Sequence, residues 1–172
     1  SLSTITRDLR EKWGLQHPVY PMSDDPVRTI VHTVDGKSLG FQEYFVQLGC
    51  QPVVKSFEFS GAETARPVPD ALAALESCDM VILAPSNPWV SIDPILSVPG
   101  YLALLSKKPV LAVSPLIGGK ALKGPAAKIV QELGLRPSAS VVADHYREFL
   151  TGFVFDTRDS SELEKIEGWR II

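Results

Sequence analysis

Apolar residues recur at Leu2, Ile5, Leu9 and Trp13, a three-to-four-residue rhythm that predicts an amphipathic helix over residues 2–13, stopped by Gly14. Residues 18–22 read as a short strand, followed by the turn-rich loop Ser23-Asp24-Asp25-Pro26. The pattern then becomes that of strands. Residues 27–34 and 39–46 flank Asp35-Gly36, a dipeptide that tolerates positive φ and marks a hairpin, and residues 53–59 read as a third strand of the same patch. A small antiparallel β insertion is therefore expected at about residues 27–60.

From Pro69 the rhythm alternates between helix and strand. Residues 69–78 predict a helix, and residues 80–84 an uninterrupted apolar strand of the kind buried in a parallel sheet. Residues 92–105 predict the next helix, with Pro94 in its first turn and Pro99 kinking or breaking it. Val110–Val113 is again an apolar strand, and residues 125–133 a helix with Pro125 at its start and Gly134 just past its end. Residues 139–143 read as a strand, 146–150 as a short helix, 153–155 as a last strand and 161–167 as the start of a helix. This alternation predicts one α/β domain over residues 1–172, a Rossmann-like three-layer α/β/α arrangement with a mostly parallel sheet plus the β insertion. In such sheets ligands sit outside the carboxyl ends of the strands.

Composition narrows the class. With 172 residues, 45% hydrophobic and 22% charged, the chain is long enough to bury a core and is neither fibrous nor low in complexity. A net charge of −3 gives no broad basic surface, so nucleic acid is not an expected partner. Cys50 and Cys78 lack CxxC spacing, which argues against a disulfide framework or thiolate zinc site and fits a reducing, cytoplasmic setting. No apolar run approaches the roughly 20 residues of a membrane span, so no membrane association is expected. The opening residues carry neither a basic nor an apolar leader segment, and the chain reads as a fragment.

Two loops leave predicted strands and enter predicted helices. In the first, Ser86, Asn87 and Ser91 offer short polar side chains, and Ser91 suits a helix cap beside an anion. The bland alternative is that Asn87-Pro88 only turns and Ser91 only caps. In the second, Gly118 and Gly119 let backbone approach a phosphate, with Lys120, Lys123 and Gly124 beside a helix start. Neither GxxxxGK[ST] nor GxGxxG is present, and the glycines also suit a plain turn with the lysines solvated. Two such loops on successive strands point to one phosphorylated ligand. Asp24 and Asp25 are candidates for magnesium, against the commoner turn and capping roles of aspartate. Asp144-His145-Tyr146 suits either a pocket wall, a proton relay or plain packing, and no nucleophilic triad or metal motif emerges. Phe41, Tyr44 and Phe45 suit an oligomer contact, giving a homodimer, or burial beneath the sheet.

Several motifs together resemble one family. These are Pro21-Met22-Ser23-Asp24-Asp25-Pro26-Val27; Phe41-Gln42-Glu43-Tyr44-Phe45; Ser86-Asn87-Pro88 with Ser91-Ile92-Asp93-Pro94-Ile95-Leu96; Ser114-Pro115 with Gly118-Gly119 and Lys123-Gly124-Pro125-Ala126; and Ala143-Asp144-His145-Tyr146. In order and spacing they are similar to the 2-phospho-L-lactate transferase family, almost from end to end. The resemblance implies transfer of a phospholactyl or phosphoenolpyruvyl group from a guanosine diphosphate conjugate to the deazaflavin FO, with release of GMP, in coenzyme F-420 biosynthesis. It also implies magnesium. Phosphate and nucleotide contacts are then expected at Ser86, Asn87, Ser91, Gly118, Gly119, Lys120, Lys123 and Gly124. The family's Gly-Gly-Thr-Gly opening, its Asn-Thr-Ala-Asp-like segment and its Asp-Thr-Leu-Met-like closing motif have no counterpart here. The chain therefore reads as a central to C-terminal portion, inactive or nearly so alone, with no metal or FO ligand assignable within it. A nonenzymatic nucleotide- or phosphate-binding regulatory module is the rival reading, and a structural domain assembling through its β insertion a third.

Overall fold

Helix α1 (Leu2–Lys12) begins at Ser1, whose hydroxyl caps it by accepting the Thr4 amide, and none of its residues is buried. In the computed structural model, which describes residues 1–121 and 123–163, no strand follows. Pro18 and Pro21 lack the amide a ladder needs, and only Ser23 makes an isolated bridge, to Pro67. The insertion then forms as a sheet of order β2-β1-β3, built from β1 (Arg28–Thr33), β2 (Ser38–Gly40) and β3 (Val54–Ser60) in antiparallel register. Gly36 turns the β1–β2 hairpin at φ 85°. The expected strand over 39–46 stops at Gly40, where a π-helical turn at Glu43–Gln47 takes over. That turn buries Tyr44 completely and stacks Phe41 on Phe45, with centroids 5.5 Å apart. An extended strand would have put Tyr44 and Phe45 on opposite faces and kept the two phenylalanines apart.

Helix α2 (Pro69–Ser77) carries Pro69 in its first turn and leads to β4 (Val81–Leu83). The helix expected over 92–105 is three pieces: a π-helical turn at Pro88–Ile92, α3 (Asp93–Leu96) and α4 (Tyr101–Leu105). Pro99 has no amide to donate and Gly100 lies at φ 101°, so the helix breaks between them while Val98 stays fully buried. Strand β5 (Val110–Val113) follows, then a hairpin of β6 (Leu116–Ile117) and β7 (Lys120–Ala121), and α5 (Ala126–Glu132). Residues 139–143 belong to a helix rather than a strand: α6 (Ala139–His145) is capped by Ser138, and Ala139, Val142, Ala143 and Tyr146 repeat at helical spacing, all at most 3% exposed. Residues 146–149 continue as turns rather than a helix, and β8 (Gly152–Val154) is the last strand. A 3-10 turn at Thr157–Asp159 leads into α7 (Ser160–Leu163); the remainder of the helix expected to Glu167 lies outside the described residues.

Strands β4, β5 and β8 form the parallel sheet, in the order β4-β5-β8. The fold is α/β with a mostly parallel main sheet and small antiparallel sheets. One face of the main sheet presents Leu83, Val110, Ala112 and Phe153 to Ile129, Val130, Val142 and Ala143 in a single core. Each Val or Ile fully buried there contributes about 1.5–3 kcal/mol. The same core takes in Val31, Leu39, Tyr44 and Val54, so the insertion is packed onto the α/β body.

Candidate functional site

The loop after β4 turns sharply at Pro85 and Ser86 and then enters the Pro88–Ile92 turn. Asn87 caps it: its side-chain Oδ1 accepts the Trp89 amide at 3.1 Å and its carbonyl accepts the Ser91 amide at 3.0 Å. Trp89 and Ile92 anchor the turn in the core. With Oδ1 committed, Asn87 Nδ2 is buried with no hydrogen-bond partner. A buried donor without an acceptor is unfavourable by about 1–3 kcal/mol.

The loop after β5 opens with Ser114, whose Oγ donates to the Leu116 carbonyl at 2.8 Å and accepts its amide at 3.1 Å. This holds Pro115 at the strand end. The two loops face a common cavity of about 750 Å³, lined from β4 by Pro85, Ser86, Asn87, Val90 and Ser91, and from beyond β5 by Pro115, Lys123, Gly124, Pro125 and Ala126. Phe41 and Phe45 of the insertion close it. The cavity is thus mainly apolar, with hydroxyls, one amide and one ammonium placed among the walls.

Gly118, Gly119 and Lys120 lie elsewhere. Gly118 and Gly119 have φ 56° and 72°, the two successive positive values that a tight two-residue hairpin between β6 and β7 requires. The Gly118 amide already donates to both carboxylate oxygens of Asp159, at 3.0 and 3.1 Å, and Asp159 is 2% exposed. A Cβ at Gly119 would stand 3.0 Å from the Pro137 carbonyl oxygen. Lys120 is exposed at the hairpin end. Of the eight residues expected at a phosphate, Ser86, Asn87, Ser91, Lys123 and Gly124 line the cavity, and the hairpin three do not. Lys123, just before α5, is the positive group on the cavity wall.

The insertion is held to α5 by a polar cluster. Lys128 Nζ donates to the Pro52 carbonyl at 3.0 Å, pairs with Glu132 and stands 5.8 Å over the Tyr44 ring. Glu132 in turn accepts the Val54 amide at 3.0 Å. Burial raises the Tyr44 hydroxyl well above its ordinary pKa, and burial likewise raises the Cys50 thiol. Because α5 also starts at the cavity, this cluster sets the distance between the Phe41–Phe45 wall and the Lys123 wall. The aromatic wall was not among the residues expected at a phosphate; its signal in the sequence was the i, i+4 spacing of Phe41 and Phe45, which a turn, but not a strand, places side by side.

His145 belongs to a second depression of about 540 Å³, with Phe59, Asp93, Asp144 and Arg147. Its Nε2 lies 2.8 Å from Asp93 Oδ1, and its ring packs 4.8 Å from Trp89 and 5.2 Å from Tyr146. It joins α6 to α3 and does not line the first cavity.

Asp24 and Asp25 are engaged in structural contacts. Asp24 accepts from the amide and the hydroxyl of Ser3, both at 2.7 Å, and these bonds lower its pKa. Asp25 accepts from the Arg66 guanidinium and amide, which hold its carboxyl below the usual aspartate value. Among the described residues no group of three His, Cys, Asp or Glu side chains is arranged to hold a metal ion. The described residues therefore do not fit a magnesium site. Nor is any helix among them long and apolar enough to cross a membrane.

Residues 1–168 match the family described as 2-phospho-L-lactate transferase CofD. The chain is 45% identical over 167 residues to a protein named 2-phospho-L-lactate transferase from Methanococcoides burtonii, covering 97% of this chain and 54% of that protein. It is 40% identical over 174 residues to the protein of that name from Methanopyrus kandleri, covering 99% and 55%. A protein named phosphoenolpyruvate transferase from Thermobifida fusca is 39% identical over 163 residues, covering 92% and 51%. Among solved structures, the Bacillus halodurans protein BH3568 superposes with a TM-score of 0.59 at 15% identity, covering 92% of this chain and 51% of that one, a likeness of fold alone. The chain spans about half the length of the curated relatives it matches. By the match over residues 1–168, joined to the order of its motifs, this chain belongs to the 2-phospho-L-lactate transferase CofD family.

Proposed function

We propose that the protein carrying this chain is a transferase of coenzyme F-420 biosynthesis, moving a 2-phospholactyl or phosphoenolpyruvyl group from a guanosine diphosphate conjugate to a hydroxyl of the deazaflavin FO and releasing GMP. The observation that carries this reading, beyond family membership, is that two strand-end loops on neighbouring parallel strands open onto one cavity with a cation, an unpartnered amide and hydroxyls on its walls. In the reaction, the acceptor hydroxyl oxygen forms a bond to the phosphorus bearing the lactyl group, and the bond from that phosphorus to the bridging oxygen breaks. GMP leaves with the bridging oxygen and its electron pair, and the hydroxyl proton passes to solvent. Such a displacement depends on aim and on charge stabilisation.

In this reading Lys123 offsets charge on the diphosphate, and Asn87 Nδ2, Ser86 and Ser91 donate to its oxygens. Phe41, Phe45 and Val90 exclude water and give a planar ring an apolar surface. Any magnesium that the full-length protein holds would offset phosphate charge, and its ligands would lie outside the described residues. The test is GMP release and GDP calorimetry in the full-length protein. Asn87→Ala and Lys123→Ala should each lower kcat/KM about tenfold or more, which is about 1.4 kcal/mol of transition-state stabilisation, with Tm unchanged for Lys123→Ala and lowered for Asn87→Ala, which also loses the cap on the Trp89 amide, by the equivalent of about 0.5–2 kcal/mol. Two variants as active as the parent protein would remove this cavity from the reaction.

A further inference from the structure

We infer that His145 is a positioning residue: with Asp93 it clamps the Pro88–Ile92 turn and so fixes where Asn87, Val90 and Ser91 stand at the cavity. The inference rests on the transferase reading only for what that cavity does. His145 Nε2 lies 2.8 Å from Asp93 Oδ1, and since a carboxylate only accepts, Nε2 carries the proton and donates it. Their side chains are 23% and 25% exposed, so water competes little for this bond. The same imidazole packs on the Trp89 ring, with centroids 4.8 Å apart and planes tilted by 53°. Trp89 is the second residue of the turn, and Asp93 directly follows its last. One ring therefore grips both ends. Val90 and Ser91, which lie between the gripped residues, line the cavity, whereas His145 does not.

The turn needs such a hold. Pro94 has no amide to give to the turn before it, and α3 has four residues, too few to stand as a helix alone. Burial of Trp89 and Ile92 keeps the turn against the core, but apolar contact is non-directional and sets no rotation. A hydrogen bond has a direction, and among the described residues no other one joins residues 87–96 to another element. His145 is itself well fixed. Ala139, Val142 and Ala143 anchor α6 at 0% exposure, and the Tyr146 ring, 3% exposed, meets the imidazole edge-on at 5.2 Å. Support thus runs from the core through α6 to His145, then through Asp93 and Trp89 to the cavity wall. Group transfer is sensitive to such placement, since a misplacement of about 1 Å can lower a rate by about 100-fold.

The test uses the full-length protein and two readouts, both taken well below Tm: hydrogen exchange of the amides in residues 87–96, followed by mass spectrometry, and kcat/KM for GMP release. His145→Phe keeps a ring on Trp89 and removes the N–H, whereas His145→Gln keeps an N–H within reach of Asp93. His145→Phe should speed exchange in residues 87–96 and lower kcat/KM, each about tenfold, and His145→Gln should hold both within about threefold of the parent protein. In the double variant Asp93→Ala, His145→Phe, the losses should not multiply, because either change alone breaks the same bond. A lower Tm with exchange and kcat/KM unmoved would mark His145 as packing only and overturn the inference, as would equal losses in the Phe and Gln variants or losses that multiply. Should His145→Phe not fold, His145→Gln against Asp93→Ala decides: exchange in residues 87–96 is expected to rise in the second alone, and equal exchange in both would overturn the clamp. Exchange requires no turnover. Absence of GMP release from the parent protein would end the transferase reading and leave the clamp to the exchange result, whereas normal turnover with exchange unmoved in every variant would end the clamp alone.

Discussion

At the scale of single residues, the molecule separates polar groups without a protein partner from groups already committed. Asn87 is the open case: its Oδ1 holds a turn while its Nδ2 has no partner. Asp159 is the committed case, a buried carboxylate on the Gly118 amide. Asp159→Ala should therefore lower stability by about 1–3 kcal/mol, read as a fall in Tm, while leaving GDP affinity of the full-length protein unchanged. A loss of affinity without loss of stability would return the Gly118 amide to the ligand site. Asp25 gives a pH-dependent prediction. Its folded pKa lies below the ordinary value of 3.8 because Arg66 hydrogen bonds favour the carboxylate. Its contribution is thus fully present above about pH 4 and is lost as the pH falls through the lower folded value. Asp25→Asn should flatten that acid limb of a Tm-against-pH curve, and a parallel curve would contradict the assignment. Arg66 is exposed, so the effect is small.

At the scale of elements, the glycine pair shows how one local signal suits two purposes. Gly118-Gly119 allows both an anion nest and a two-residue hairpin, since each uses positive φ. The hairpin forms because Leu116–Ile117 pairs with Lys120–Ala121 and the free amide finds Asp159, 41 residues on. Gly119→Ala should destabilise by about 1 kcal/mol or more, from the left-handed φ and the approach to Pro137, and denaturant midpoints would measure it. The break before α4 was legible from Pro99. The π turn at Glu43–Gln47 was less so: Phe41, Tyr44 and Phe45 carry strand-like apolar character, and only the burial of Tyr44 beneath Lys128 decides for a turn. The helical character of residues 139–145 was masked by short β-branched residues, although Ser138 offered a cap.

At the scale of the whole molecule, the insertion and the α/β body meet through Lys128 and Glu132. Glu132→Ala removes the acceptor of the Val54 amide and the partner of Lys128. It should lower Tm by an amount equivalent to about 1–3 kcal/mol and also weaken ligand binding in the full-length protein, because the aromatic wall loses its fixed spacing from Lys123. Wild-type affinity in a destabilised variant would show that the wall position does not matter for binding.

By itself the sequence determined what depends on neighbours along the chain: the alternation of helix and strand, the Asp35-Gly36 hairpin, the antiparallel insertion, and the two loops at the ends of apolar strands. Local periodicity and turn chemistry carry that information. Tertiary structure alone decided which candidates remain available. Asp24 was taken by Ser3, Asp25 by Arg66 and the Gly118 amide by Asp159, while Phe41 and Phe45 were brought over the loops that follow β4 and β5. Hydrogen-bond partners and cavity walls are set by contacts between residues tens of positions apart, and spacing within a single segment holds no record of them.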